Sequence, residues 1–179
     1  MIRRALLSVS RSDRIKAAVA GAPVSRNVVT RFVGGESAAD AVLATHELVS
    51  SGRLVTIDHL GEDTLDLGQA EATRDAYIDL LTLLGEARLT SGAEVSVKLS
   101  AVGQALAGDG EKVALENAHA ICAKAAQVGT TVTLDMEDHT TTDSTLGILA
   151  ELRKDFPRRG GAWPAGKVGR SYRHRTRSR

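Results

Sequence analysis

Three short apolar runs, each followed by a stretch of helical periodicity, organise the middle of this chain. They lie at residues 54–59, 95–100 and 131–138, and the last is expected to stay in a strand as far as Glu137. β-branched residues fill the runs almost continuously, which is typical of strands covered on both faces. Because helical segments separate them, the strands are expected to pair in parallel.

The segments around these strands carry apolar positions three and four residues apart, which predicts amphipathic helices. The clearest stripe, between the first two strands, consists of Thr73, Tyr77, Leu80, Leu81 and Leu84. The next helix is expected to stop at Gly129. With another helix over residues 3–20, the predicted order is α-α-β-α-β-α-β-α, followed by a tail.

Two helices can be oriented by their apolar positions. The helix before the first strand begins at Ser37, with Asp40 three residues on as a capping box. Its apolar face is expected to include Leu43 and His46, the latter as a core histidine. The last helix is expected to bury Leu146 with its other leucines.

Composition points to an ordinary soluble domain. Hydrophobic residues make up 42% of the 179 residues and charged residues 25%. The apolar start resembles a secretion signal, but polar residues from Ser8 onward interrupt it, and no stretch is long enough to span a bilayer. The single Cys122 cannot form an internal disulfide, and a place on a helix face favours packing over nucleophilic chemistry. These features predict one cytoplasmic domain.

Charge is divided sharply along the chain. Residues 1–156 hold 15 basic and 22 acidic residues, a net of −7, whereas residues 157–179 hold 8 basic residues and no acidic one. Such a break predicts a boundary near Pro157.

The strand ends carry the candidate chemistry. Asp58, Lys98 and Asp135 recur at intervals of about 40 residues, as a β/α barrel repeats, and such barrels place reactive groups at the carboxyl ends of their strands. Strand alternation places Lys98 on one face with Ser96, opposite Val95 and its apolar neighbours. A lysine there needs an anion. That anion is either a substrate carboxylate or a structural partner, Asp58 or Asp135.

Other polar residues are weaker candidates. Asp135 shares a face with Glu137 and is the better candidate, because apolar neighbours predict its burial; the alternative is a loop that caps the next helix. The pair Asp58–His59 is a catalytic dyad, a metal half-site or structural, with the structural role favoured, and His139 is interpreted as a loop residue. Metal-ligand spacing, a phosphate loop and a dinucleotide fingerprint are missing, so no metal is expected.

Several motifs together resemble the bacterial proline dehydrogenases, in their single-function actinobacterial form. They read VVTRFVGG, TIDHLGE, SVKLS, LDMEDH and TDSTL, at residues 28–35, 56–62, 96–100, 134–139 and 142–146. The resemblance covers about residues 3–156. It implies the N-terminal portion of a (β/α)8 barrel that holds FAD and oxidises L-proline to Δ1-pyrroline-5-carboxylate by hydride transfer to the flavin.

The resemblance also implies residue roles and partners. Lys98 would contact the substrate carboxylate, Asp135 would be catalytic, and Met136 would touch the flavin. Electrons would pass to a membrane quinone, with the protein cytoplasmic or peripheral at the inner face of the membrane. A pyrroline-5-carboxylate dehydrogenase would act downstream, and no nucleic acid is expected.

The resemblance stops after Phe156. About three of eight strands precede this point, so residues 1–156 are expected to form a partial barrel and residues 157–179 a basic, non-homologous tail. The favoured explanation is a lost reading frame near Pro157; the other is a genuine basic tail. The chain expressed alone is therefore expected to hold little FAD and not to oxidise proline.

Two other functions stay open at this point. Lys98 could form a Schiff base with a carbonyl substrate in another barrel enzyme, such as an aldolase. Alternatively, the chain could be a non-catalytic fragment whose basic tail, with Trp163 and Tyr172 available for stacking, binds nucleic acid.

Overall fold

The structure, a computed structural model, describes Gly35 and residues 37–61, 64–137 and 139–157. The predicted helix at 3–20 and the tail beyond Pro157 lie outside these residues. The described part contains, in chain order, α1 (Ala38–Ser50), β1 (Val55–Asp58), α2 (Leu67–Glu86), β2 (Ala93–Lys98), a 3-10 helix (Leu99–Val102), α3 (Gly110–Val128), β3 (Val132–Asp135) and α4 (Thr142–Asp155).

The three strands form one parallel sheet in the order β1-β2-β3, as the helical spacers predict. The register places Asp58 beside Ser96 and Lys98 beside Asp135. Two strands end earlier than expected: β2 turns into the 3-10 helix after Lys98, and β3 stops at Asp135 instead of Glu137.

The two faces of the sheet differ completely. On the outer face Val95 and Val97 are fully buried, and Leu134 is nearly so. They pack against the apolar stripes of α2 and α3 in a single core. Burial of apolar surface contributes about 25 cal/mol per Å², so this core is the main stabilising feature. On the inner face Ser96 and Lys98 are only partly covered, which confirms the predicted alternation.

Helix α1 begins as predicted, but the face that it turns to the core differs from the prediction at several positions. The Asp40 backbone N–H donates to Ser37 Oγ at 3.2 Å, and the Ser37 N–H donates to the Asp40 carboxylate at 3.2 Å, which confirms the capping box. However, Leu43 and His46 are exposed, and Thr45 is buried instead. Burial is possible because the Thr45 hydroxyl donates to the Ala41 carbonyl at 2.7 Å, which hides its polarity.

The remaining helices follow the predicted pattern with one exception. In α2, Tyr77 and the leucines of the stripe are buried, and α3 ends at Gly129 with a left-handed φ of 81°. In α4, Leu146 is 44% exposed and Ile148 is buried in its place. The prediction for Leu146 is wrong because the neighbouring positions Ile148 and Leu149 turn toward the core.

Helix α1 also approaches the start of β2 closely. A Cβ atom on Gly92 would lie 2.9 Å from a methyl group of Val49, so a larger residue would force the helix away. Within the described ranges, none of the helices is long and apolar enough to cross a membrane.

Candidate active site

Side chains from all three strands meet at the carboxyl end of the inner face. Lys98 Nζ lies 3.2 Å from Asp58 Oδ2, with the two side chains 17% and 33% exposed. Asp135 stands beside Lys98 in the register of β2 and β3. The structure therefore brings together the three residues that the strand-end pattern singled out, and the predicted ion pair of Lys98 forms with Asp58.

Asp135 is electrostatically unusual. Burial raises the pKa of its carboxyl above the ordinary value, and the nearby Asp58 carboxylate raises it further. The Lys98 ammonium and a hydrogen bond from the Met136 backbone act in the opposite direction but do not cancel these effects. Among the described residues of the site, the Asp58 and Asp135 carboxylates therefore share the Lys98 ammonium. Asp135 is protonated more readily than an ordinary aspartate.

The buried Tyr77 of α2 contacts this cluster through its hydroxyl, a role that the helical stripe alone did not reveal. Its hydroxyl lies 3.2 Å from Asp58 Oδ1 and 2.6 Å from the Ser96 carbonyl, and it accepts the His59 N–H at 3.1 Å. The signal in the sequence is the residue type: a tyrosine among buried leucines carries a hydroxyl that needs a partner.

A carboxylate that is buried lies at the opposite end of the same face, and the sequence pattern did not single it out. Glu94 is 9% exposed and accepts hydrogen bonds from the hydroxyls of Thr56 at 3.1 Å, Thr131 at 2.8 Å and Thr133 at 3.3 Å. Glu94 precedes Ser96 and Lys98 at spacings of two, so strand alternation could have placed it on the inner face. Its donors are neutral, which suits a structural role.

The loops above the strand ends are tied to each other. Ser100 donates its backbone N–H to Glu137 Oε2 at 3.2 Å, and its carbonyl accepts the Thr64 N–H at 3.2 Å. One residue of the 3-10 helix thus links the loop after β1 to the loop after β3. Met136 follows Asp135 and is half-buried near this rim, while Glu137 and His139 are exposed.

The other candidates take no part in the cluster. Asp58 faces Lys98, whereas the His59 ring lies against Tyr77 with the ring centroids 5.9 Å apart, so the two do not form a dyad. Cys122 lies on α3, where burial raises the pKa of its thiol to about 12, which supports packing over nucleophilic chemistry. Across the described residues, no three His, Cys, Asp or Glu side chains are grouped to hold a metal ion.

Comparison with known proteins identifies the family to which this chain is similar. The sequence profile of the proline dehydrogenase family matches residues 41–179. Proline dehydrogenase of Deinococcus radiodurans is 38% identical over 152 residues, which are 84% of this chain and 46% of that protein. Proline dehydrogenase 1 of Bacillus subtilis is 31% identical over 160 residues, 89% of this chain and 51% of that protein.

A solved structure agrees on the fold. Proline utilization A from Bdellovibrio bacteriovorus, in a form inactivated by N-propargylglycine, superimposes with a TM-score of 0.63 at 23% identity. The match covers 72% of this chain and 16% of that one. The parallel strands with helical crossovers are thus part of a barrel fold of the α/β class, as predicted.

The fold and the strand-end cluster are those of a parallel β/α barrel that carries polar side chains at the carboxyl ends of its strands, and the chain belongs to the proline dehydrogenase family. It spans about half the length of the curated relatives that it matches. The family match includes residues 157–179, which the charge break had set apart; the division at residue 156 stays a prediction.

Proposed function

We propose that the inner face of this sheet forms the substrate side of a proline dehydrogenase site, which oxidises L-proline to Δ1-pyrroline-5-carboxylate. The observation that carries the proposal is the cluster of Lys98 with Asp58 and Asp135 at the carboxyl end of the strands. In parallel β/α barrels this end holds the catalytic groups. Membership of the family supplies the reaction.

Lys98 binds the carboxylate of proline in this proposal. Its ammonium is largely covered and already pairs with one carboxylate at 3.2 Å, so a second carboxylate can replace or join Asp58 at the same distance. Charge-assisted hydrogen bonds of this kind are about twice as strong as neutral ones. The same pairing argues against a Schiff-base lysine, which needs a neutral amine and a site that disfavours the ammonium.

Asp135 orients the ring nitrogen of proline and can accept a proton from it. A carboxyl whose pKa is raised by burial and by Asp58 is a stronger base than an ordinary aspartate once ionised. Because Lys98 and Asp135 are neighbours in the register, one amino acid can contact both with its carboxylate and its nitrogen. The pair therefore fixes the orientation of the substrate.

The described residues fit one part of FAD, the isoalloxazine ring. Proline dehydrogenases are flavoenzymes. Met136 is half-buried beside Asp135 and offers a polarisable apolar surface for such a ring. When bound, the flavin would take up the hydride from proline. Met136 would hold the ring against the face where Lys98 and Asp135 place the substrate.

The partners further from the site follow from the reaction. We propose a membrane quinone as the final electron acceptor, which requires at least transient contact with the inner face of the membrane. The product, a cyclic imine carboxylate, would be consumed by a pyrroline-5-carboxylate dehydrogenase. A nucleic-acid function would depend on residues 158–179, which lie outside the described structure.

Ligand titration of the ¹⁵N-labelled chain tests the substrate site. L-Proline should shift the backbone amide signals of Lys98, Asp135 and Met136, while the signal of Val128, at the far end of α3, should stay in place. Pyrrolidine has the same ring without a carboxylate and should leave the Lys98 signal unchanged. Equal shifts with both ligands, or none with either, would refute the carboxylate site.

The flavin and the reaction need separate measurements. The expectation that the chain alone holds little FAD and does not oxidise proline remains a prediction. A visible absorption spectrum after purification with FAD, followed by a proline-dependent dye-reduction assay, checks it. A stoichiometric flavin spectrum with measurable turnover would show that the expectation is wrong.

A further inference from the structure

Tyr77 occupies an unusual position between the core and the candidate site. Its side chain is 1% exposed, yet its hydroxyl touches three polar groups at the top of the sheet. Its neighbours in the stripe, Leu80, Leu81 and Leu84, fill the core without any polar atom. A phenylalanine would pack equally well there, so the hydroxyl itself requires an explanation.

The geometry around the hydroxyl offers one proton to two acceptors. A phenol donates a single hydrogen bond at a time. The Ser96 carbonyl is closer, at 2.6 Å, and Asp58 Oδ1 is at 3.2 Å, while the His59 N–H fills an acceptor position. With Lys98 beside Asp58 Oδ2, the proton is best placed on Ser96. Without that cation, Asp58 becomes the better acceptor.

We propose that Tyr77 is a positioning residue for Lys98 that acts through Asp58. At rest, Lys98 pairs with Asp58 Oδ2, and the Tyr77 hydroxyl donates mainly to the Ser96 carbonyl while it stays 3.2 Å from Asp58 Oδ1; this arrangement keeps the ammonium at the strand end. When Lys98 turns to a ligand carboxylate, Asp58 loses its ion pair. The Tyr77 hydroxyl then rotates from the Ser96 carbonyl to Asp58 and replaces that ion pair with a hydrogen bond. This exchange rests on the proposed function; the resting contact does not.

Burial supports the permanence of this donor. Desolvation raises the pKa of the Tyr77 hydroxyl above its ordinary value, and the Asp58 and Asp135 carboxylates raise it further. The hydroxyl therefore stays protonated throughout the neutral range. It can stabilise a carboxylate without adding a charge to the cluster.

Competitive acylation of lysines by acetic anhydride, read by mass spectrometry of peptides, tests the resting contact. In the unaltered chain Lys98 should react more slowly than Lys112, whose side chain is 72% exposed. Tyr77→Phe should raise the Lys98 rate by about threefold to tenfold, the loss expected for one ordinary hydrogen bond. Asp58→Asn should raise it further.

Two controls separate positioning from packing. Thr45→Val removes another buried hydroxyl, which donates only to the Ala41 carbonyl, and should leave the Lys98 rate unchanged. In the Asp58→Asn background, adding Tyr77→Phe should have no further effect, because the tyrosine acts through that carboxylate. An unchanged rate in Tyr77→Phe, or the same rise in both backgrounds, would overturn the proposal.

Added L-proline distinguishes this inference from the proposed function. Proline should slow acylation of Lys98 in the unaltered chain, and several-fold more proline should be needed for the same protection in Tyr77→Phe. A faster basal rate in Tyr77→Phe with no protection by proline would leave the positioning role intact and refute the carboxylate site. Equal protection in both chains would overturn the hydroxyl exchange.

Discussion

The inner face of the sheet carries an acidic cluster at each end, and the two are built in opposite ways. At the amino end, Glu94 receives three threonine hydroxyls from the two flanking strands. At the carboxyl end, Asp58 and Asp135 share one lysine, and Tyr77 can serve only one acceptor at a time. Both clusters lie on the same strands, within a few residues of each other.

The difference separates a structural group from a chemical one. Three neutral hydroxyls donate hydrogen bonds to the Glu94 carboxylate, so a ligand has no charged partner of Glu94 to displace. These bonds link β2 to the chain on both sides of it, which is a structural role. At the carboxyl end, burial and the neighbouring Asp58 carboxylate raise the pKa of Asp135, and among the described residues two carboxylates lie beside the Lys98 ammonium. Such an imbalance is typical of sites that bind or transform a charged ligand.

The largest effect on stability is expected at the amino-end cluster around Glu94. Glu94→Ala removes the acceptor of three hydroxyls and should lower the free energy of unfolding by about 3 kcal/mol, since each bond to a charged group contributes about 1.5–3 kcal/mol and relaxation recovers part of it. Urea denaturation measures the change. Glu47→Ala, at an exposed position of α1, is the control and should change little. A small loss in Glu94→Ala would erase the contrast between the two ends.

At the carboxyl-end cluster of Lys98, Asp58 and Asp135, a substitution should affect ligand binding instead. Lys98→Met removes the ammonium but keeps the length of the side chain, and should weaken L-proline binding about tenfold to a hundredfold. Calorimetry or the amide titration measures this affinity. Lys154→Met, which breaks an exposed pair with Glu151, should bind proline normally. Unchanged affinity in Lys98→Met would assign the lysine to structure alone.

A single hydroxyl should have a smaller effect on stability. Thr131→Val removes the 2.8 Å bond to Glu94 and should cost about 1.5 kcal/mol in the free energy of unfolding. In the Glu94→Ala background the same change should cost almost nothing, because the acceptor is already missing. Equal costs in the two backgrounds would mean that the threonine contributes through packing.

The smallest effect concerns the protonation of Asp135. Its pKa is raised in the folded state, so the folded chain binds this proton more tightly than the unfolded chain does. The resulting stability is present below the unfolded pKa of about 4 and is lost as the pH rises through the higher folded pKa. Asp135→Asn should therefore melt slightly higher than the unaltered chain at about pH 7, with the gap closing by about pH 3.

Thermal melts at several pH values check this sign. If Asp135→Asn melts lower at neutral pH, then the attraction between Asp135 and Lys98 outweighs burial and the repulsion from Asp58. Both acidic clusters would in that case stabilise the fold. The carboxyl-end cluster would then be less specialised for ligand binding than its geometry indicates.

The sequence predicts the features that follow from periodicity. Alternation along 95–100 correctly separates Val95 and Val97 from Ser96 and Lys98, and the helical spacers correctly predict parallel strands. The spacing of Asp58, Lys98 and Asp135 correctly places them at one end of the sheet. Their roles toward proline and the flavin, and that of Met136, stay predictions.

Features that depend on how elements dock are beyond periodicity. Tyr77 reaches Asp58 only because of the way α2 docks on the sheet, which no local pattern specifies. The exposure of Leu43 and His46 in α1 and the burial of Thr45 were not predicted, because Thr45 donates its hydroxyl to the Ala41 carbonyl and can then pack like an apolar residue. The environment of Glu94 needs threonines from both neighbouring strands, and hence the register.

The links made by Ser100 give the rim above the site a mechanical property. Its N–H is held by Glu137 and its carbonyl holds the Thr64 N–H, so the loops after β1 and β3 are fastened through one residue of the 3-10 helix. Displacing either loop must strain or break a bond to the other. The rim should therefore open as one unit, and the amide hydrogens of Thr64 and Ser100 should exchange with solvent at matching rates that slow together when a ligand occupies Lys98.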